Sequence, residues 1–410
     1  MAIITVVVAS IVIWGTFAYL VLPEHEEEPN TVVFGIDGSS LRTSKLVDHG
    51  SGTPSDPYVI TGLEIEVKRY PGEMESYGID ISNVDAHLVI SGSRFHTDYS
   101  SSYYETIGIR AWNSRNVTIL GCEFENFTRA IEVSHSVMNV SYSRFESCGV
   151  GVLMERLEYD LAPGTQIIQN TFENTDYGVL ASGNWGGLTW SDVRIKNNSL
   201  SHYQSGVGVY GGGFNFTIVG NYFYDGARLA IDASMLSAST IEENVMRYNV
   251  GYGGGIDLYG STHVQIEGNS ISTKGPAISI ESSTDLRIGN NSIGLSSDGG
   301  AAIHIGVYIR NSVSVNVTYN KIRGWTYGIM ILSTGPGNST AWVHHNEFWW
   351  NFVSATDNSV SENHWDDGVG AGNYWDVYEG TDGDGDGIGD TPYQVDSDNA
   401  DHYPLMTSPV

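Results

Sequence analysis

The run from Asp382 to Asp390, reading Asp-Gly-Asp-Gly-Asp-Gly-Ile-Gly-Asp, holds the densest chemistry in this 410-residue chain. Carboxylates at its first, third, fifth and ninth positions could wrap a hard divalent cation, and the seventh, Ile388, offers a main-chain carbonyl. Aspartates this close repel one another unless a cation neutralises them. The twelfth position is Tyr393, where a helix-loop-helix calcium site has a bidentate glutamate, so Asp396 or Asp398 would close the shell. The spacing predicts a calcium loop with Asp382, Asp384, Asp386, Ile388 and Asp390 as ligands. A solvated acidic turn is the plain alternative.

Other candidate chemistry is sparser. Asn-x-Ser/Thr acceptors for N-linked glycans stand at Asn116, Asn126, Asn139, Asn197, Asn215, Asn290, Asn316 and Asn338. Asn174-Thr175-Asp176 and Arg194-Ile195-Lys196 match fragments of a polygalacturonase signature. The paired aspartates and the Gly-His-Gly that belong between them are missing. An aromatic group, Trp342, Phe348, Trp349, Trp350, Trp365, Tyr374 and Trp375, reads as a cap, with sugar stacking on an exposed ring as the functional alternative. The two cysteines, Cys122 and Cys148, fit neither a zinc spacing nor a disulfide scaffold.

The element that must position these groups is a repeat. A small residue followed by two apolar residues flanking a variable one recurs eleven times, from Gly78-Ile79-Asp80-Ile81 to Gly328-Ile329-Met330-Ile331, about every 25 residues. A second pattern in phase places a small polar residue at a fixed slot. It becomes Asn170, Asn198, Asn221, Asn244, Asn269, Asn291, Asn320 and Asn346. Asparagine tolerates a left-handed corner, and its amide can bond to the asparagine of the next coil. Short alternating strands with a corner in every coil predict a right-handed, single-stranded parallel β-helix over residues 57–358, each coil stacked ~4.8 Å from the last. Residues 23–56 then form a linker and N-terminal cap, and 359–410 a C-terminal cap.

The repeat also sets lateral neighbours. It stacks Asp232, Asp257, Ser279, His304 and Met330 in one outward column, with His304 beside Met330 as the one soft pair, too few ligands for a copper site and more simply solvent-facing scatter. His344 and His345 should diverge along a strand. Cys122 and Cys148 fall too far apart along the coil to bridge, so both should be free. No basic residue beside a carboxylate cluster, which a polysaccharide lyase needs, can be read in register.

From Ala2 to Leu22 no residue is charged, long enough to cross a membrane, which predicts a transmembrane helix at residues 2–22 or else a signal peptide. The chain carries 48 Asp and Glu against 19 Lys and Arg, a formal charge of -29. That field repels phosphate backbones and excludes nucleic acid as a natural partner.

The stretch Gly50-Ser51-Gly52-Thr53-Pro54-Ser55-Asp56-Pro57-Tyr58-Val59-Ile60 resembles the opening motif of the periplasmic copper-binding (NosD-type) β-helix proteins, which abound on archaeal surfaces. Gly372-Asn373-Tyr374-Trp375-Asp376 and the segment on to Tyr403-Pro404-Leu405 are similar to the end of that family. The resemblance covers about residues 45–406. It implies the β-helix fold, kinship with carbohydrate-binding and sugar-hydrolase β-helices, and copper as the family's ligand. The expectation is a structural or glycan-recognising protein on the outer face of the cell membrane or envelope, with polysaccharide or envelope components as partners. The alternatives are an extracellular polysaccharide lyase or glycoside hydrolase, and an accessory factor for copper-enzyme maturation.

Overall fold

The computed structural model describes residues 34–68, 75–98, 105–155, 164–183, 190–248, 253–296, 304–334, 338–359 and 361–410. The chain divides into two units, Met1–Asn184 and Trp185–Val410. Each is a right-handed parallel β-solenoid with three sheet faces per coil.

In the first unit, face one stacks Phe34–Asp37, Glu75–Ser82, Glu105–Trp112, Arg129–Ser134, Val150–Glu155 and Tyr177–Ser182. Face two begins with Tyr58–Thr61 and Leu88–Ser91, and face three with Glu64–Glu66 and Arg94–His96. Alternation explains the core. Ile79, Ile109, Ile131 and Val152 align in register and are fully buried, while the residues between them face outward. On face three the inward slot holds Phe95, Phe124, Phe145 and Phe172. Their rings lie nearly parallel at centroid separations of 4.8, 5.0 and 4.6 Å. Offset ring pairs add about 0.5–1.5 kcal/mol each beyond burial. Phe124→Ala, which empties the middle of this stack, should cost roughly 3–5 kcal/mol in urea denaturation. A loss below about 1 kcal/mol would show that the stack closes over the gap.

In the second unit, face one runs from Ser205–Tyr210 to Val353–Asn358, and face three from Ser199–Ser201 to Tyr374–Trp375. Face two includes Leu236–Glu242, Thr262–Glu267, Thr284–Gly289, Val313–Thr318 and Ala341–His344. The solenoid pairing therefore takes in residues on both sides of 57–358. Phe34 pairs with Ile79, and Phe348 pairs with Trp375.

The corners differ from expectation in detail. The left-handed residue is not the ladder asparagine but the one before it: Gln169, Asn197, Gly220, Glu243, Gly268, Asn290, Tyr319 and His345. The asparagine instead turns its amide inward. From Asn198 through Asn221, Asn244, Asn269, Asn291, Asn320 and Asn346, each Nδ2 donates to the next Oδ1 at 2.9–3.0 Å. The same oxygen also accepts the preceding asparagine's main-chain N–H, as Asn269 Oδ1 does from Asn244 at 3.0 Å. Asn373 receives the last link, a member the sequence pattern had not included.

One column is corrected. Ser279 pairs with Tyr308, and Tyr308 with Met330, so Gly306-Val307-Tyr308-Ile309 is the repeat of that coil rather than Ala302-Ile303-His304-Ile305. Gly306 fits because a Cβ there would stand 2.5 Å from the Gly328 carbonyl oxygen. His304 is buried, its Nδ1 against the Lys274 carbonyl, and does not meet Met330.

The membrane-spanning helix expected at residues 2–22 lies outside the described residues. Among those described, no helix is long and apolar enough to cross a membrane.

Candidate functional site

Face two of the second unit carries a groove of ≈ 420 Å³ across the strands Thr262–Glu267, Thr284–Gly289, Val313–Thr318 and Ala341–His344. Two columns of outward side chains line it. The first is Gln265, Arg287, Asn316 and Trp342, paired in that order coil by coil. The second is His263, Asp285 and Ser314, which sit at φ of 54°, 59° and 57°. A left-handed residue inside a strand kinks the backbone and re-aims the side chain, as bulges do beside binding sites.

The chemistry of the groove is mixed. His263 Nε2 lies 3.1 Å from Asp285 Oδ2. Arg287 Nε lies 2.6 Å from Glu267 Oε1. Beneath them Val264 and Leu286 are buried and fix the floor. Trp342 is 41% exposed, and the His364 ring stacks on it at 5.1 Å and 23°. His364 belongs to the following coil, through its bridge with Trp342. One indole face is thus braced, leaving the side toward Asn316 to the groove.

A second cluster lies on face one of the first unit. Arg110 grips Asp80 bidentately, Nε to Oδ1 at 2.9 Å and Nη2 to Oδ2 at 2.8 Å. Its Nη1 donates to Tyr77 Oη at 2.7 Å, and that hydroxyl also meets Glu75. Arg129 bridges Glu105 at 2.7 Å and Glu132 at 2.8 Å. Burial pushes the Glu105 carboxyl up against the pull of Arg129, with Glu75 adding to the rise. This is the basic residue beside carboxylates that the sequence reading did not find. Asp80, Arg110 and Glu132 share the variable slot of three consecutive repeats, so the pattern had already aligned them, but Glu75, Tyr77, Glu105 and Arg129 lie before that slot.

The terminal loop brings together only part of its expected set. Carboxylate oxygens of Asp382, Asp384 and Asp386 lie within 4.8 Å of one another. Main-chain N–H groups hold them in place: Gly385, Asp386 and Gly387 donate to Asp382, and Ile388 donates to Asp386. Asp390 turns away to accept the Gly383 N–H at 2.8 Å. Three convergent, preorganised carboxylates suit a hard cation, and the fourth would have to swing in.

The sequence matches the right-handed β-helix region family over residues 55–190 and 162–305, more than half the chain. The chain belongs to that β-helix family. Residues 235–380 of this β-helix also match the periplasmic copper-binding protein (NosD) family. No curated protein sequence matches significantly. Among solved structures, the periplasmic alginate epimerase AlgG is similar at a TM-score of 0.51 and 12% identity, over 75% of this chain and 83% of that one. PfbA, a surface adhesin of Streptococcus pneumoniae, reaches 0.43 at 14% identity, over 68% and 82%. These likenesses concern the β-helix fold.

The remaining expected residues fall as follows. Of the eight glycan acceptors, Asn116, Asn197, Asn215, Asn290, Asn316 and Asn338 are exposed, and Asn126 and Asn139 half-buried. Cys122 and Cys148 are free and buried, and burial pushes their thiols up to about 11 and about 12. Asp232 and Asp257 are neighbours as expected, and burial pushes the Asp257 carboxyl up while Ser279 pulls it back. His344 and His345 do not diverge, because the left-handed corner at His345 turns its ring back. Their Nδ1 atoms lie 2.7 Å apart. Phe348, Trp365 and Trp375 are buried at the end of the β-helix, with Trp375 stacked between Phe348 and Tyr393. Trp342 serves the lateral groove instead.

Proposed function

We propose that this β-helix is an exported envelope or surface protein that binds a polysaccharide along face two of its second unit. The observation that carries the reading is Trp342, a half-exposed indole braced by His364 and flanked by Asn316, Arg287 and Gln265. Indole offers an apolar face for a sugar ring, and amides and a guanidinium suit its hydroxyls. The coil rise of ~4.8 Å is close to the length of one pyranose in an extended glycan, so successive coils can address successive sugars. The fold is shared with an epimerase of a polysaccharide, alginate. The negative field of the whole chain favours neutral glycans over polyanions.

Trp342→Ala should weaken binding to whichever member of a neutral polysaccharide panel the protein retains by roughly tenfold or more. Affinity electrophoresis reads this directly. Unchanged retention would move the site off this face. A second reading, catalysis on a polysaccharide, rests on the cluster of Arg110, Arg129, Glu75, Glu105 and Tyr77. Depolymerisation lost in Arg129→Ala would support it.

The acidic loop is proposed to hold calcium through Asp382, Asp384 and Asp386, with Ile388 and Asp390 joining, and to keep the terminal cap folded. A cation bound only by the native state at a hundredfold excess over Kd stabilises by about 2.7 kcal/mol. Chelation should therefore lower the melting temperature by several degrees, and Asp384→Ala with Asp386→Ala should copy it. Melting that ignores chelator would make the loop an acidic turn. The copper-accessory alternative rests on the family match over residues 235–380 alone, since Met330 pairs with Tyr308 and not with His304.

A further inference from the structure

Asn316 stands inside the groove and opens a glycan acceptor motif, Asn316-Val317-Thr318. Its outward position pairs directly with Trp342 on the next coil and with Arg287 on the coil before. Directly paired residues on one face of adjacent strands bring their Cβ atoms to about 5 Å. His364 covers the far face of the Trp342 ring, so the face left to the groove is the one toward Asn316. Two other acceptors differ. The side-chain amides of Asn116 and Asn215 donate to Asp85 and Asp192, at 2.8 and 2.5 Å.

We propose that Asn316 carries an N-linked glycan whose first sugar lies on the open face of Trp342, so that the protein's own modification decides whether the groove accepts an external polysaccharide. The inference rests on the reading of this groove as a glycan site. The same features that would bind a free sugar bind the attached one: the indole face, the Arg287 guanidinium and the Gln265 amide. Attachment removes the cost of bringing the sugar to the site, since tethering replaces a free concentration by a high local one. An external glycan of modest affinity cannot displace it. The groove is then closed on modified protein and open on unmodified protein.

The test uses full-length protein recovered from the envelope of cells that export it. Glycopeptide mass spectrometry should find Asn316 occupied. Acrylamide quenching of tryptophan fluorescence should rise when the glycan is removed enzymatically, or in Asn316→Gln and Thr318→Ala. The rise should vanish in a Trp342→Phe background. Cellohexaose or mannohexaose should bind deglycosylated and Thr318→Ala protein, whose groove lining is unaltered, at least tenfold more tightly than modified protein. Unmodified Asn316 in exported protein, or quenching indifferent to the glycan, overturns the proposal. Equal hexasaccharide binding with and without the glycan also overturns it, while leaving the groove a polysaccharide site. Shielding of Trp342 without hexasaccharide binding by either form overturns the proposed gating and sinks the external-polysaccharide reading with it.

Discussion

Asn269→Ala should destabilise the second unit by roughly 2–6 kcal/mol, because two buried donors lose their acceptor at about 1–3 kcal/mol each. The donors are the main-chain N–H and the side-chain amide of Asn244, both of which end on Asn269 Oδ1 at 3.0 Å. The carbonyls of Ile241 and Glu267 lose their Nδ2 contacts from the same residue. Asn244, Asn269 and Asn291 are all buried, so water cannot replace what is lost without opening the coil. Gln265→Ala, on the outward side of the same coil, should change stability by less than about 0.5 kcal/mol. Urea titrations of the two variants separate a ladder that carries stability from one that merely fills space. A loss under about 1 kcal/mol for Asn269→Ala would mean that the coil repacks around the gap.

The second large effect concerns the end of the ladder. Asn373 donates its main-chain N–H to Asp401 Oδ2 at 2.7 Å, and Trp375 Nε1 donates to the same oxygen at 2.8 Å. Tyr403 donates to Oδ1 at 3.0 Å. Asp401 is fully buried, and burial pushes its carboxyl up to about 6 although the three N–H donors pull it back. The folded state therefore holds a proton more tightly than the unfolded chain, where the group titrates near 3.9. Its stabilising contribution is complete below about pH 4 and is lost as the pH rises through about 6. A shift of that size is worth on the order of 3 kcal/mol. The melting temperature should rise as the pH falls from 7 to 5. Glu105 and Asp257, also raised, act in the same direction, whereas His344, lowered by burial and by His345, opposes them on the acid side. Asp401→Asn isolates the contribution: whatever it does to the midpoint, the slope between pH 4 and 6 should flatten. An unchanged slope would assign the dependence to the other groups.

The fold was legible wherever one residue type recurs at one slot. Isoleucine and valine in the inward positions and asparagine at the corner repeat because every coil presents the same environment to them. Legibility failed where the pattern fits twice. Ala302-Ile303-His304-Ile305 and Gly306-Val307-Tyr308-Ile309 satisfy the same rule four residues apart, and only the pairing of Tyr308 with Ser279 and Met330 decides. Asn373 and Asp401 escaped notice because Gly370 and Asp398 stand three residues before them, where the pattern requires an aliphatic residue, although their spacing is that of the ladder. The groove was half visible. Trp342 and Asn316 stood out as residue types while His263 and His364 did not, and their assembly depends on coil lengths that vary. From Arg287 to Asn316 is 29 residues and from Asn316 to Trp342 is 26. The acidic loop was legible because its groups are close in sequence, and Asp390 departs because the Gly383 N–H competes for it.

The asparagine ladder points one way. Between side chains, every amide from Asn198 to Asn346 gives one hydrogen to the asparagine on its C-terminal side, while from Asn221 on the other hydrogen goes back to a main-chain carbonyl of the preceding coil; Asn373 ends the series against Asp401. An added coil bearing one asparagine satisfies the rungs above and below it without altering either end. A coil placed after Asp401 finds no amide to receive. Such a chain can change length by whole-coil duplication anywhere inside the ladder, and the fixed terminus preserves the cap while lateral surface is gained or lost. The asymmetry of a hydrogen bond thus becomes a rule for how descendants of this sequence can grow.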